Sequence, residues 1–470
     1  MGVAGSEGSG IRDQGSGVRL SGPIPDPRSL TAIRAAAGAW LATRAVVGVA
    51  AWVGVSELIT GNPTTYHKGP FVEAALLWDA AWYAGIAQHG YVAPAAGATS
   101  NLAFPPLLPL LARGLGSVFQ ALGWDMGSPD WGPWALAGVV VSNGAFFAAL
   151  VVRWHLVALD HPAAVASRTL WLVAAFPLGF FWSAFYTESL FLLLAVGCLY
   201  AARRGWWWPA GAAGGLATLT RWAGLLLAVV LLVEWAAARW RAAPSPRRPT
   251  TADHGYATNT RITHSPAHSC IRVRHSWSAL PGGGAGIARP GWLALGGIAL
   301  VPAALAGYLG WLQVQFGSPW GILQSQSTGW KHDWTWPWDT YGWGVSLLWQ
   351  SLTQTGPHPE SVLHWGYGNS LYMWLDLGLP WLVAGLGVIG WRRGWLRPGD
   401  VAWLVLGLLF PLSLGVTISL ARYLLPLWPA LVVAARLCTG RPGLERAWLV
   451  AGTGLMAVGA YLYASARWIG

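Results

Sequence analysis

Long apolar runs, broken by short polar segments, recur along this chain from one end to the other. A run of about 18 or more apolar residues with few charges predicts a membrane-spanning helix. The runs fall at 35–59, 134–152, 169–185, 189–202, 206–219, 222–238, 291–313, 371–391, 401–420, 424–437 and 447–466. Read as one crossing each, they predict about 11 spans, all helical, because hydrocarbon forces every backbone group to find a partner within its own segment. Several have only about 14 residues, ~21 Å of helix against a core of ~30 Å. A single helix over 169–202 is the alternative for two of them, but Pro177 would interrupt it and Glu188 would lie in hydrocarbon. A hairpin turning at Tyr186-Thr187-Glu188 meets both objections.

Polar segments set the orientation. Arg12, Arg19, Arg28 and Arg34 precede the first span, so the N-terminal tail, 1–34, is expected in the cytoplasm. The stretch 60–133 holds Glu73, Asp79, Asp125 and Asp130 against only Lys68 and Arg113, which places it outside. Within it, 102–122 is apolar but carries Pro105, Pro106, Pro109 and Arg113, and reads as an interfacial or re-entrant helix. The segment 241–290 is rich in Pro, Ser, Thr and Arg and is expected to be a disordered, basic, cytoplasmic linker. It divides an N-terminal transmembrane region, 35–240, from a C-terminal one, 291–470, whose second external stretch is 314–370.

Composition narrows the class. With 54% hydrophobic and 10% charged residues, the chain falls far from the roughly 25% charged content of soluble domains. Its 35 tryptophans suit bilayer interfaces, where Trp206-Trp207-Trp208 and Trp334, Trp336 and Trp338 are expected. A net charge of +11 is spread through short loops between apolar runs, so it reports topology and not nucleic-acid binding. Cys198, Cys270 and Cys438 give neither a disulfide framework nor a metal spacing. The cluster His264, His268, Cys270 and His275 matches no metal pattern either. The opening Met-Gly-Val-Ala-Gly-Ser fits a myristoylation signal, a match that Gly/Ser-rich tails produce easily.

The ionisable residues that interrupt apolar sequence gather on one side of this topology: Asp79, Glu188, Arg221, Lys331, His332, Asp333 and Arg422. Such groups are costly near lipid and usually functional. An acid beside Trp in a partly dry site could accept the proton of a hydroxyl. Asp79 in Trp78-Asp79-Ala80-Ala81-Trp82-Tyr83 could equally cap a helix N-terminus. Arg221 and Arg422, taken singly, could be helix-end residues reaching the interface.

Several blocks of this sequence carry a family resemblance. Trp78-Asp79 with Trp82-Tyr83, Ile86-Ala87 and Gly90-Tyr91, followed by Ala103-Phe104-Pro105-Pro106-Leu107, resembles the first external loop of the second GPI mannosyltransferase (PIG-V) family and its bacterial relatives. Phe176-Pro177 through Phe181, Tyr186-Thr187-Glu188-Ser189-Leu190-Phe191, Arg203-Arg204 and Leu219-Thr220-Arg221 with Gly224 resemble its most specific block. Ala421-Arg422-Tyr423-Leu424-Leu425-Pro426-Leu427-Trp428-Pro429 is similar to its closing motif, with Trp428 in place of Phe and Pro106 departing from an aromatic-Pro-Leu pattern.

The resemblance implies a GT-C glycosyltransferase, a helical bundle in the cell membrane with an external first loop that holds interfacial helices. It implies transfer of a sugar, typically mannose, from a polyprenyl-phosphate donor to a glycolipid, glycan or protein acceptor on the extracytoplasmic face. Asp79 is then the expected catalytic base of an inverting displacement. The candidate substrate-binding set is Trp78, Trp82, Tyr83, Glu188, Arg221, Trp330, Lys331, His332, Arg422 and Tyr423, with the cations meeting the donor phosphate so that no metal or other cofactor is needed. The competing class is a transporter or flippase. Such proteins often show internal repeats and ionisable residues near the bilayer midplane, and no repeat is visible in this sequence.

Overall fold

The computed structural model describes residues 27–93, 99–241, 290–353 and 370–467, and the regular structure within them is helical. The N-terminal tail up to residue 26, most of the basic segment with His264, His268, Cys270 and His275, and residues 354–369 lie outside the described residues.

The first part of the chain forms α1 (Pro27–Gly61), α2 (Pro70–Ala75), α3 (Asp79–His89), α4 (Leu107–Ala121), α5 (Gly132–Ala158), α6 (Ala163–Ala174), α7 (Glu188–Arg203), α8 (Trp207–Thr218) and α9 (Leu226–Arg241). The second part forms α10 (Leu293–Phe316), α11 (Gly321–Trp330), α12 (Pro337–Thr353), α13 (Ser370–Arg392), α14 (Pro398–Leu412), α15 (Leu420–Tyr423), α16 (Trp428–Leu437) and α17 (Pro442–Ala464). Proline opens many of them at the first or second position, where its missing N–H costs nothing. Pro105 and Pro106 follow a short 3₁₀ turn, and α4, with Pro109 in its first turn, follows as a 15-residue helix packed on α3 and α5.

Among the described residues, six helices are long and apolar enough to cross a membrane: Arg28–Gly61, Gly132–Ala158, Trp222–Trp240, Leu293–Phe316, Tyr372–Arg392 and Pro442–Ala464. The chain is therefore a polytopic all-α membrane protein, but the expectation of about 11 full spans is corrected. Five apolar runs fold as shorter helices: α6 and α8 with 12 residues each, α7 with 16, α14 with 15 and α16 with 10. The physical reason lies in burial. Only 28–44% of each long helix's apolar window is buried inside the protein, which leaves a wide face for lipid. By contrast, α7 and α16 are sheathed by protein along most of their length, so neither has to match the bilayer thickness. An apolar run looks the same in sequence whether lipid or protein surrounds it.

Close approach of backbones lets these short helices sit inside. A Cβ on Gly211 of α8 would meet the Gly297 carbonyl oxygen of α10 at 1.7 Å, so the two helices cross where neither has a side chain. Elsewhere in the bundle α1 packs along α17, and α5 along α7.

Helix α7 is tied by charge at both ends. At its last turn Arg203, with a 2% exposed side chain, donates to Asp400 at 2.6 Å, Glu234 at 3.0 Å and Asp160 at 3.4 Å, and Asp160 also accepts from Arg397. This network joins the ends of α5 and α7 and the middle of α9 to the start of α14. It adds a buried ionic centre at the end of the bundle opposite Glu188, which the clustering of ionisable residues on one face did not foresee. Removing one partner of such a network strands buried charge, at a cost of about 3–5 kcal/mol. Arg203→Ala should accordingly lower the melting temperature of the detergent-solubilised protein by many degrees. A loss of under about 1 kcal/mol would show that water reaches the cluster.

Candidate active site

The site forms at the other end of α7, where five separated segments meet. Trp78 precedes α3 with φ of 59°, a left-handed conformation rare for a bulky residue. This sharp turn is the N-cap, so Asp79 is the first residue inside the helix and not its cap. The Asp79 backbone N–H donates to the Tyr186 hydroxyl at 3.1 Å, and the Tyr463 hydroxyl of α17 donates to the Leu77 carbonyl at 2.9 Å. Both bonds fix the turn that presents the carboxylate.

Glu188 begins α7, where a negative charge suits the helix dipole. Its side chain is fully buried, and one oxygen, Oε1, accepts from Arg422 Nε at 2.5 Å and from Arg221 Nη1 at 2.5 Å. The second oxygen, Oε2, is buried without a hydrogen-bond partner. Arg422 lies in α15, a single turn entered through Ser419 at φ of 67°. Its Nη1 reaches Asp79 Oδ2 at 3.4 Å, and its guanidinium lies over the rings of Tyr186 and Phe181, 4.5 and 4.8 Å from their centroids. Arg221 stands in extended backbone between α8 and the 3₁₀ turn Trp222–Leu225, over the Tyr423 ring at 5.0 Å. One arginine thus links the two carboxylates, and a second completes a group of balanced formal charge. The remaining N–H groups of both arginines make no hydrogen bond among the described residues.

Aromatic rings from the stretches 60–133 and 314–370 wall the Asp79 side. Trp82 stacks on Phe104 at 5.9 Å, and Trp330 at the end of α11 meets both edge-on, at 6.1 and 5.1 Å. Tyr83 packs against Phe104, Phe185 and Tyr186. Gln326 of α11 donates to the Ala103 carbonyl at 2.9 Å, which pins the second stretch onto the first. Burial raises the pKa of Asp79 above the ordinary carboxylate range, although Arg422 beside it pulls the other way. A carboxylate held this way is a stronger base than a free one.

His332 and Lys331 differ from the two arginines in charge and exposure. The His332 ring lies 6.5 Å from Tyr423 with Nδ1 2.8 Å from Gln326 Oε1, and burial lowers its pKa to about 4. It is therefore neutral at pH 7 and brings a hydrogen-bonding ring, not a cation. Lys331 is exposed, in a left-handed turn that ends α11. The structure brings the other named residues together and leaves this side chain in solvent-exposed surroundings.

Phe181, Tyr186 and Thr187 belong to the site as well, Thr187 receiving a 3.4 Å hydrogen bond from Arg221. They lie in the sequence block around Glu188, so proximity to that block could have found them. Tyr463 comes from the last helix and carried no signal.

Fold and site together define a polytopic α-helical membrane protein with a buried carboxylate–arginine centre at one end of its bundle. No family model matches the chain. GPI mannosyltransferase 2 of Yarrowia lipolytica is 28% identical over 200 residues, 42% of this chain and 51% of that protein. The match thus spans about half the length of the curated relative. Oligosaccharyltransferase of Archaeoglobus fulgidus aligns in its apo form with a TM-score of 0.39 and 14% identity, over 90% of this chain and 56% of that one. Its complex with Zn and sulfate aligns at 0.38 and 12%, over 90% and 53%.

Proposed function

We propose that the chain is a GT-C-type membrane glycosyltransferase that moves a sugar, mannose in the first instance, from polyprenyl phosphate to an acceptor hydroxyl on the extracytoplasmic face. The observation that supports this reading most is the Asp79–Arg422–Glu188–Arg221 group, in which a raised-pKa base contacts Arg422, and Arg422 and Arg221, joined through Glu188, keep N–H groups that make no hydrogen bond among the described residues. The 28% identity to a GPI mannosyltransferase over 200 residues points the same way.

In this mechanism Asp79 takes the proton of the acceptor hydroxyl as its oxygen attacks the anomeric carbon from the face opposite the phosphate. The bond from that carbon to the phosphate oxygen breaks, the configuration inverts, and polyprenyl phosphate leaves with its negative charge. Arg221 and Arg422 meet that developing charge through their unengaged N–H groups, in a partly dry site where fixed dipoles outperform water. Glu188 aligns both arginines. His332, being neutral, is suited to a hydroxyl of either sugar.

The test is transfer of labelled mannose from polyprenyl-phosphate mannose by the purified chain in lipid vesicles, with and without EDTA. Label should reach the acceptor at equal rates in both, because the arginines supply the positive charge. Loss of transfer with EDTA would mean that the site recruits an ion, and absence of transfer from this donor would overturn the reading.

The segment 241–290 is assigned to the cytoplasm, away from the chemistry. Replacing it with a short Gly/Ser linker should leave the transfer rate within about twofold, since its composition supplies no core. Proteases added to inside-out vesicles should cut it. Protection there, or loss of transfer after replacement, would place it elsewhere.

A further inference from the structure

Helix α13 carries an acid inside an apolar run. Asp376 stands four residues into the membrane-crossing helix Tyr372–Arg392 and is 2% exposed. A carboxylate buried in such a helix is costly and points to a function. Its Oδ1 accepts from the backbone N–H of Ala421 at 2.6 Å. Ala421 belongs to α15, the single turn that brings Arg422 and Tyr423 into the site. In an ordinary helix the N-cap side chain would accept that bond. Here the N-cap is Ser419, in left-handed backbone at φ of 67°, and its side chain makes no capping bond. Asp376 supplies the cap from another helix, through a charge-assisted hydrogen bond.

The same helix is tied to the other half of the site. Tyr372, one turn before Asp376 on the same face of α13, donates to the Leu455 carbonyl of α17 at 3.2 Å. Further along α17, Tyr463 donates to the Leu77 carbonyl in the turn that presents Asp79. The base and the arginine therefore hang from one pair of helices, α13 and α17, and the 3.4 Å between Arg422 Nη1 and Asp79 Oδ2 depends on three side chain-to-backbone bonds. Helix α12 lies close against the loop that leads into α15, where a Cβ on Gly344 would meet Thr417 Oγ1 at 2.6 Å.

We propose that Asp376 is a positioning residue: by holding the Ala421 N–H it fixes the α15 turn and keeps Arg422 against Asp79. The part that Arg422 plays in sugar transfer rests on the mechanism proposed above. The placement of Arg422 by Asp376 does not, and it can be measured without turnover.

The experiment titrates Asp79 in the purified full chain, without a sugar donor, through the carboxyl C=O infrared band that Asp79→Asn lacks. The charged groups facing Asp79 are Arg422, which lowers its pKa, and Glu188, which raises it. The phenols of Tyr83, Tyr186, Tyr423 and Tyr463 beside it carry no charge in this range, an ordinary phenol titrating at about 10. Asp376→Leu is close in size and suits a membrane helix, so the chain should still insert. With the turn released, Arg422 draws away from Asp79 and the midpoint should rise by about one pH unit. Asp376→Asn keeps an oxygen for the Ala421 N–H and should bring the midpoint back. Loss of the Asp376 charge by itself would act in the opposite direction, because removing a nearby negative group lowers a carboxyl pKa. In the transfer assay kcat should fall by about 10 to 10² in Asp376→Leu, as for a catalytic group displaced by about 1 Å, and recover in Asp376→Asn. A midpoint unchanged or lowered in Asp376→Leu, or raised equally in both variants, would overturn the proposal. The expected shifts in a chain that transfers no sugar would leave Asp376 as the holder of Arg422 and overturn the sugar-transfer mechanism alone.

Discussion

Replacing Asp79 by Asn should lower the transfer rate by about 10² to 10⁴, the range expected when a positioned base is lost. Asparagine keeps the shape of the side chain and can still face Arg422, so the turn at Trp78 and its bonds to Tyr186 and Tyr463 should persist. What disappears is the ability to take a proton. The same assignment fixes a pH profile. Burial raises the Asp79 pKa, so the wild-type rate should climb with pH through a value above the ordinary carboxylate range and then level off. His332 should add no step near pH 6.5, because its protonation is displaced to about 4. A variant that inserts normally, melts like the wild type and turns over at the wild-type rate would remove Asp79 from the chemistry.

Arg422→Lys should cost about 10² or more in rate, comparable to losing one donor of a preorganised anion site. Arg422 uses separate nitrogens for Glu188 and Asp79 and lies flat over Tyr186 and Phe181. A lysine ammonium is a single point of charge on a flexible stem and cannot hold both carboxylates while leaving a planar edge for phosphate. The loss should be largest in kcat, since the interaction strengthens as the phosphate departs. Arg221→Lys should follow the same direction with a smaller effect, because Arg221 touches Glu188 and Thr187 but not Asp79. Full activity in both lysine variants would return the two arginines to helix-end residues that merely reach the interface.

Much of this site can be read from the sequence because membrane proteins make charge conspicuous. Asp79, Glu188, Arg221 and Arg422 stand out against apolar neighbours, and the structure brings all four within direct contact of one another or of a shared partner. The break before Glu188 could also be inferred, since Pro177 and Glu188 leave one long helix no way to continue, although α6 already ends at Ala174 and a 3₁₀ turn at Gly179–Trp182 stands where the sequence predicts helix up to 185. Other features had no local signature. The partners of Arg203 lie at positions 160, 234 and 400, too far apart in the chain for any spacing rule to connect them. The number of crossings was overcounted because α6, α7, α8, α14 and α16 are apolar for the sake of protein neighbours as much as of lipid. The charge of His332 is likewise hidden from sequence: its residue type allows a positive charge, but burial, which sequence does not display, removes it.

The most direct test of the central claim is the fate of the donor bond in vesicles containing the purified chain, polyprenyl-phosphate mannose and acceptor. The expected result is release of one polyprenyl phosphate for each mannose transferred, with the new glycosidic bond opposite in anomeric configuration to the donor. Recovery of intact polyprenyl-phosphate mannose that has crossed the bilayer, with no free polyprenyl phosphate, would contradict it and make the protein a flippase.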